Sequence, residues 1–403
     1  MISIPEALAE MAPAFVPRPV ERVPLTSVRG RCLAGPLTVR LDVPAFDNSA
    51  MDGYAVRAHE AVQDAALPVR GESRAGGAWP EPLAPGSAMR IFTGAPLPEG
   101  ADAIVIQEDT KRDADTVTVT ESATLGRHIR RQAEVLRAGS SLLPVGTRLD
   151  PGAIGVLASQ GIAMVPVRTR PRVVLLSTGD ELREMGSPPR RGSLIDSNTY
   201  ALAAAVEDAG AEAICMPLGA DDRESLTAAV RDGLSSGDVL ITTGGVSVGE
   251  YDLVHTAFEA AGVEPRFWKI RVKPGKPVRF GVAGAVPVVG LPGNPVSALV
   301  TFEVFVRPQL RRMLADPSPF RATRDVSLGW AARAPATRTE LIRVRFEGDT
   351  ARRTSAQGSN MLTSMVGVHG LAVLPAGAGM LDEGQTVRAI DLRGPSSDVS
   401  PFA

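Results

Sequence analysis

The arrangement of apolar and polar residues changes twice along this chain. Between about 172 and 313, continuous apolar runs such as VVLLS and VPVVGL alternate with segments of helical periodicity. A strand buried on both faces needs no polar alternation, so this rhythm predicts an α/β domain with a mainly parallel sheet covered by helices. From about 320, strand-like pieces are separated by polar turns, which predicts a small all-β module.

Start and stop signals predict the individual elements. Ser3 and Pro5 predict a short amphipathic helix, and Asp150-Pro151 predicts a helix that ends at Gly161. Further helices are expected over about 198–208, 222–234, 253–261 and 295–313. Strands are expected at DTVTVTE, VVLLS, AICMPLG, DVLITT, FWKIRV, PVRFGV, VPVVGL, ELIRVRFEG, GLAVLPAG and QTVRAIDL.

Length and composition limit both the organisation and the function. A chain of 403 residues is too long for one core, and we expect an N-terminal region at 1–168, an α/β domain at 169–316 and a β module at 317–403, ending in a frayed tail. The net charge of −2 argues against binding nucleic acid or membrane through bulk charge. Two cysteines give no disulfide framework, and the N-terminus lacks a signal-peptide pattern, so we expect a cytoplasmic protein.

Three polar loops, STGDEL, GADD and GGVSVGEYD, follow predicted strands. Ligands of such sheets bind beyond the carboxyl ends of the strands, so acids from the three loops would share one edge. In the third loop, glycine N–H groups can face an anion while the acids hold a bridging magnesium ion. The alternative is a tight turn with no ligand. The loop is not a Walker A motif, because Glu250 and Tyr251 replace its Lys and Ser or Thr.

Three other stretches also carry candidate chemistry. KPGK holds Lys273 and Lys276 on either side of a turn, which suits a small oxyanion but also fits a solvated surface turn. GNP places Asn294 where it can cap the next helix. FDNSAMDG contains Asp52, and Asp52-Gly53 can equally be an ordinary turn.

Taken together, the motifs resemble one family. PAFDNSAMDGYAVR, RIFTGAPLPEGADAIV, STGDEL, TTGGVSVGEYD, FWKIRVKPGKP and GLPGNPVSA occur in the order found in the molybdopterin molybdotransferase family, MoeA in bacteria and the gephyrin E domain in animals. The resemblance implies insertion of molybdate into adenylylated molybdopterin with release of AMP, in a reaction that requires Mg²⁺ or another divalent metal. It also implies discontinuous N-terminal lobes, a central molybdopterin-binding α/β domain and a C-terminal β-barrel-like module.

The resemblance assigns roles motif by motif. Catalytic roles fall on Asp52, Thr93, Glu181, Asp221 and Asp252. The metal would be held by Asp221 and Asp252. The molybdate site would contain Lys273, Lys276, Arg343 and Ser359. Pterin or nucleotide contacts would come from Gly244, Gly245, Ser247, Gly249, Lys269 and Asn294.

The resemblance also implies a homodimer with a shared active site, in which Asp52 and Thr93 act on the site of the partner subunit. A molybdopterin adenylyltransferase and molybdoenzymes are the protein partners that such a role would involve. We expect no nucleic acid and no membrane among its partners.

One stretch departs from the family pattern. The family has a Gly-Glu-Asp run after its arginines, whereas this chain reads RRQAEVL, with Ala133 and Val135 flanking Glu134. A weakened enzyme, or a gephyrin-like dimeric scaffold that binds a structural partner protein, is therefore the alternative to an active transferase. A protein that shares only the α/β domain is disfavoured, because the N-terminal motifs are present. The retained charged residues favour the enzyme, since paired buried charges bring a scaffold no benefit.

Overall fold

The computed structural model describes residues 1–188, 190–220, 222–245, 253–354 and 356–402, with only the backbone described at position 253. The chain forms two compact units. The larger unit contains Met1–Gly35, Val145–Ile154 and Met164–Ala403, and the smaller contains Pro36–Pro144 and Gly155–Ala163. The N-terminal region is therefore discontinuous, as expected. The predicted boundaries at 168 and 316 both fall inside the larger unit and remain predictions.

A six-stranded sheet, here called the central sheet, organises the larger unit. Its spatial order is Glu212–Cys215, Arg172–Ser177, Val239–Thr243, Val286–Leu291, Arg279–Ala283 and Glu264–Trp268. The first four strands are parallel, and only Arg279–Ala283 runs against the rest. The mainly parallel sheet expected from the sequence is thus confirmed.

Both faces of the central sheet are buried, which explains the absence of polar alternation in its strands. Val173 and Leu175 face one apolar core, together with the helices Asn198–Asp208 and Pro295–Thr301. The intervening Val174 faces a second core. The helices of that second core are Arg223–Ser236 and Leu253–Ala260.

The helix boundaries follow the predicted signals. Ser3 caps Ile4–Met11 with a complete capping box, and Asp222 caps Arg223–Ser236 by accepting a hydrogen bond from the Ser225 N–H at 2.9 Å. The predicted helix from Asp150-Pro151 is Pro151–Ser159. The long helix at 295–313 consists of Pro295–Thr301 and Arg307–Met313, separated by the wider π-helical turn Phe302–Val306.

Two strand predictions need correction. AICMPLG ends as a regular strand at Cys215. The Met216 N–H still donates to the Leu175 carbonyl at 3.0 Å, and the Gly219 N–H makes the bond to the Ser177 carbonyl at 2.9 Å. FWKIRV is not one strand: Lys269 has a φ of +78°, and this left-handed residue divides Glu264–Trp268 from Val272–Lys273. Val272–Lys273 belongs to a different sheet, where it pairs in parallel with Thr339 and Glu340.

That second sheet is the predicted C-terminal β module. Five strands close into a barrel in the order Thr339–Glu347, Thr350–Arg353, Thr323–Leu328, Thr386–Asp391 and Gly370–Leu374, with the last pairing back to the first. Alternate residues such as Ile342, Val344 and Phe346 fill its interior. The sequence analysis expected a frayed tail, and this prediction is wrong. Ser396–Ser397 pairs with Phe320–Arg321, which holds the tail in place. The Pro401 carbonyl also accepts a hydrogen bond from Arg388 at 3.4 Å.

The smaller unit contains another six-stranded sheet. Its spatial order is Ala103–Ile106, Gly53–Val56, Ala88–Ile91, Ala66–Ser73, Thr116–Val119 and Thr110–Asp113. Gly53 is required at its position, since a Cβ there would lie 2.0 Å from the Val105 carbonyl oxygen. The strand predicted at DTVTVTE is confirmed as Thr116–Val119.

The stretch that departs from the family pattern is an ordered loop in this unit. Asp47 accepts hydrogen bonds from the Arg131 guanidinium and the Gln132 N–H, both at 2.7 Å. Ala133 has a φ of +60°, a conformation in which glycine avoids the steric cost that a Cβ brings. The side chain of Val135 is 67% exposed. The backbone therefore retains a glycine-type conformation even though the glycine is missing.

We predict that Ala133→Gly stabilises the protein by roughly 0.5–1 kcal/mol, because relief of left-handed strain exceeds the entropy that glycine adds to the unfolded chain. Urea unfolding monitored by circular dichroism measures the change. Ala138→Gly is the matched control, since Ala138 lacks a positive φ and should lose stability on substitution. An unchanged or lowered midpoint for Ala133→Gly contradicts the prediction.

Candidate functional site

The loops after three neighbouring strands of the central sheet meet at its carboxyl edge. The Thr178 N–H donates to the Thr243 carbonyl, and the Gly219 N–H donates to the Ser177 carbonyl, both at 2.9 Å. Parallel strands bring their carboxyl ends to one edge, so this arrangement follows directly from the topology. The beginnings of the three loops noted in the sequence therefore lie together.

Close packing dictates the two glycines that begin the third loop. Gly244 and Gly245 have φ values of +87° and +58°. A Cβ on Gly244 would lie 2.1 Å from the Thr178 carbonyl oxygen, and one on Gly245 would lie 2.1 Å from the Val254 side chain. Only glycine fits both positions. The predicted site residues Ser247, Gly249, Asp221 and Asp252 lie outside the described residues.

A cavity of about 700 Å³ opens at this edge. Four predicted site residues line it: Glu181, Gly244, Gly245 and Asn294. Its volume is in the range of cavities that hold a cofactor-sized molecule. Part of its wall is apolar and comes from Leu182, Leu194, Ile195 and Leu362.

Asn294 occupies the N-cap position of Pro295–Thr301, as the sequence predicts, but its side chain makes no capping hydrogen bond. The loop is held instead from its other side, where the Asn198 amide donates to the Gly293 carbonyl at 2.8 Å. Asn294 therefore lines the cavity without its side chain being committed to the helix end.

Arg343 is a deeply buried charged residue of the larger unit. It is 1% exposed and donates from Nη2 to the carbonyls of Ala356 and Gly358, at 3.3 and 3.1 Å. Its Nε is buried without a hydrogen-bond partner, and the described residues place no carboxylate in an ion pair with it. Burial lowers the pKa of Arg343. A buried cation without a counter-charge is costly unless an anion binds near it.

The loop that surrounds Arg343 leads to the cavity. The Ser359 carbonyl accepts a hydrogen bond from the Val296 N–H at 3.1 Å, so the loop rests on the start of the helix that follows Asn294. Asn360, the next residue, lines the cavity. Arg343 therefore contacts the loop that carries Ser359, and that loop continues into the cavity wall at Asn360.

The lysines of the KPGK turn have different surroundings. Lys273 Nζ lies 2.8 Å from the Glu340 carboxylate. Gly275 has a φ of +103°, and a Cβ there would lie 2.2 Å from the Thr301 methyl group, so the turn packs closely on the helix Pro295–Thr301. In the described parts of the chain, no hydrogen bond or ion pair joins Lys273 or Lys276 to Arg343.

Lys269 lies at the left-handed residue between the two sheets. Its Nζ is 4.3 Å from the centroid of the Trp268 ring, a cation–π contact. It is not among the residues that line the cavity. The structure therefore does not bring Lys269 to the glycines with which the sequence grouped it.

In the smaller unit, Asp52 and Thr93 form a single polar group. One oxygen of Asp52 accepts hydrogen bonds from the Thr93 N–H and hydroxyl, at 2.7 and 2.8 Å. These bonds, the backbone bond first, lower the pKa of Asp52, because both donors stabilise the carboxylate form. The structure brings together two residues that lie 41 positions apart in the sequence.

Sequence reasoning missed several residues at the cavity. Asp196 is 5% exposed and accepts hydrogen bonds from the Asn198 N–H at 2.9 Å and from the Thr199 N–H and hydroxyl, at 3.2 and 2.5 Å. The run LIDSN before a helix was the only signal for it, and that run is typical of an ordinary helix start. No sequence pattern marked Asn360 and Leu362 as cavity residues, because their position at the cavity depends on the barrel.

The described carboxylates bear on the magnesium prediction. Among these residues, no three His, Cys, Asp or Glu side chains cluster as a ready-made metal site. Magnesium does not need such a cage, since one or two carboxylates and substrate phosphates commonly hold it. Glu181, an oxygen donor on the cavity wall, fits that chemistry.

The fold and the site define a class of protein: an α/β protein with a glycine-lined cavity at the carboxyl edge of its sheet. Comparison with known families is more specific. Residues 2–161 match the MoeA N-terminal region (domain I and II), 174–312 match the probable molybdopterin binding domain, and 326–392 match the MoeA C-terminal region (domain IV).

Whole-chain relatives agree with the family matches. The chain is 39% identical to molybdopterin molybdenumtransferase 2 of Mycobacterium tuberculosis, over 96% of this chain and 97% of the relative. It is 35% identical to the molybdopterin molybdenumtransferase of Haemophilus influenzae, over 96% of this chain and 98% of that relative. A crystal structure of the molybdopterin biosynthesis MoeA protein from Pyrococcus horikoshii has a TM-score of 0.85 at 32% identity, covering 98% of this chain and all of that one. This chain belongs to the MoeA family.

We predict that Thr93→Val raises the pKa of Asp52, because the hydroxyl donor is lost while the backbone N–H remains. The charged form of Asp52 is favoured by folding, so its contribution is present at neutral pH and is lost as the pH falls through the folded-state pKa. Carbon-13 NMR titration of labelled aspartate measures the shift. Thr110→Val removes a hydroxyl bonded only to the Gln107 carbonyl and should leave Asp52 unchanged. An unchanged Asp52 titration in Thr93→Val would show that the backbone N–H alone sets its pKa.

Proposed function

We propose that this protein is a molybdopterin molybdenumtransferase, which inserts molybdate into adenylylated molybdopterin and releases AMP. The observation that carries the proposal is Arg343, a buried cation of the strand Thr339–Glu347 that, among the described residues, has no carboxylate partner. It donates to the Gly358 carbonyl on a loop that continues to Asn360 in the wall of the glycine-lined cavity. The names of the relatives supply the chemistry, and the cavity and the buried cation provide places for a phosphate-bearing pterin and an oxyanion.

The cavity would hold the adenylylated pterin. Backbone N–H groups around Gly244 and Gly245, with those of Ser247 and Gly249, would face the phosphate, because glycines allow the backbone to approach an anion closely. Asn294, which also lines the cavity, would contact the pterin or nucleotide. Lys269 is assigned to the same substrate by the family motif alone.

Molybdate would bind through cations near the barrel. Arg343 would supply a guanidinium and Ser359 would act from the loop whose Gly358 carbonyl accepts the Arg343 hydrogen bond, while Lys273 and Lys276 would supply ammonium groups on the turn. A tetrahedral dianion can accept hydrogen bonds from several such donors, which are stronger than neutral ones because they are charge-assisted.

Magnesium would be held by Asp221 and Asp252, with Glu181 at the cavity wall. When bound, it would neutralise charge on the phosphates and polarise the bond to be cleaved. Cleavage adds water across the bond between AMP and the pterin phosphate, so each product carries a phosphate group. Asp52, an anion at neutral pH, and Thr93 would act from the smaller unit.

The working form would be a homodimer with three domains, at 1–168, 169–316 and 317–403, and a site shared between subunits. A molybdopterin adenylyltransferase would supply the substrate and molybdoenzymes would receive the product.

The site of action would be the cytoplasm. Among the described residues, none of the helices combines the length and apolar character needed to cross a bilayer. A gephyrin-like scaffold is the weaker reading, because the relatives reported above are named as transferases.

We predict that Arg343→Met reduces molybdate-dependent AMP release tenfold to a hundredfold, about the worth of one charged hydrogen bond. The assay uses purified protein, adenylylated molybdopterin and a molybdate titration. Arg345→Met is the matched control, because Arg345 lies on the same strand, is exposed and bonds only to backbone carbonyls of the neighbouring turn. Equal activity of both variants, with equal unfolding midpoints, would remove Arg343 from the site.

We further predict that Asp52→Ala and Arg343→Met each have strongly reduced activity but recover activity when mixed under conditions of subunit exchange. In a shared site, one active site of the mixed dimer carries both lesions and the other carries neither, as two-fold symmetry allows. Random exchange would restore about a quarter of wild-type activity by this symmetry argument. Differently tagged subunits confirm exchange, and absence of recovery in exchanged dimers argues for a site within one subunit.

A further inference from the structure

The ion pair between Lys273 and Glu340 has a place in the fold that suggests a role in the reaction. Lys273 Nζ and Glu340 Oε1 lie 2.8 Å apart, and the side chains are 51% and 16% exposed. The two residues are direct partners in a parallel strand pairing, and the Thr339 N–H donates to the Arg271 carbonyl at 3.1 Å beside them. Backbone register therefore fixes the acid next to the lysine.

This contact places the Glu340 carboxylate beside the lysine ammonium group that an oxyanion would need for binding. The Glu340 carboxylate is largely buried, and Lys273 is the partner that compensates its charge. An oxyanion that binds Lys273 must share the ammonium group with Glu340 or displace it. A carboxylate within reach of the same cation repels an incoming dianion, so the pair opposes binding.

We infer that Glu340 is an internal counter-ion of Lys273, which competes with molybdate and keeps its binding weak enough for transfer. The inference rests on the proposed function. The geometry that carries it is the direct, register-fixed contact between a mostly buried acid and a lysine of the KPGK turn. Glu340 is thus a positioning residue that acts through Lys273. The opposing idea is that the pair only braces the turn.

The two ideas predict opposite signs. If Glu340 competes with the oxyanion, Glu340→Gln binds molybdate roughly two- to fivefold more tightly, the range expected for a half-exposed ion pair. If the pair only braces the turn, the substitution weakens molybdate binding or leaves it unchanged. Isothermal titration of the full-length protein with sodium molybdate measures the dissociation constant, and sulfate serves as a second dianion.

Glu347→Gln is the matched control. Glu347 lies on the same strand, and its 68% exposed side chain pairs with Arg352 at 3.3 Å. The substitution removes the same charge from the protein, so it reports any effect of net charge alone. Glu340→Asp should restore affinity near that of wild type, and urea unfolding of each variant checks that the turn and barrel remain folded.

A Lys273→Ala background shows whether the effect passes through the lysine. We expect Glu340→Gln to tighten molybdate binding in the wild-type background and to have no effect without Lys273. Unchanged or weaker binding by Glu340→Gln, or an equal gain in Glu347→Gln or in the Lys273→Ala background, overturns the inference. Absence of molybdate binding to wild type would instead contradict the proposed function, and the inference with it.

Discussion

The apolar core shared by the central sheet, the first helix and the barrel is the constraint on which the site depends. Val173 and Ile241 of the sheet pack in the same core as Met11 of the first helix and as Leu341 and Ile390 of the barrel. A closely packed core holds its elements at fixed distances, because small displacements open cavities or force overlap. The cavity at the sheet edge and the loop around Arg343 are therefore held in one place by apolar packing.

Arg343 shows how the core and the chemistry are linked. Side chains along its strand point alternately to the two faces of the sheet. Ile342 and Val344 lie inside the barrel, whereas Leu341 lies in the shared core. The Arg343 side chain points to the same side of the strand as that of Leu341, and it is therefore buried. Most proteins would place an apolar residue there, since an unpaired buried guanidinium destabilises the fold. The cost of burying this guanidinium would fall if the anionic substrate proposed above provided the missing charge.

A second constraint is the positive φ angle that some positions of the backbone require, and glycine does not occupy all of these positions. Gly244 and Gly245 permit a close approach that any side chain would block. Lys269 and Ala133 have positive φ values as well, with a side chain present. At Lys269 the unusual conformation directs the chain from the central sheet into the barrel sheet. At Ala133 it preserves the shape of a loop that Asp47 holds by two hydrogen bonds.

The sequence alone determined the fold class, most boundaries of the α-helices and the family. Apolar periodicity and capping signals are local, so Ser3, Asp222 and the uninterrupted strands could be interpreted without tertiary structure. The contacts between remote segments could not. Cavity residues Asp196 and Asn360 carried no distinctive pattern, the FWKIRV run divides between two sheets, and the tail is held by a strand that lies far away in the sequence. The pairing of Lys273 with Glu340 likewise depends on strand register between distant segments. Only tertiary structure decides such matters, because they result from packing and pairing between parts of the chain whose local sequences contain no information about each other.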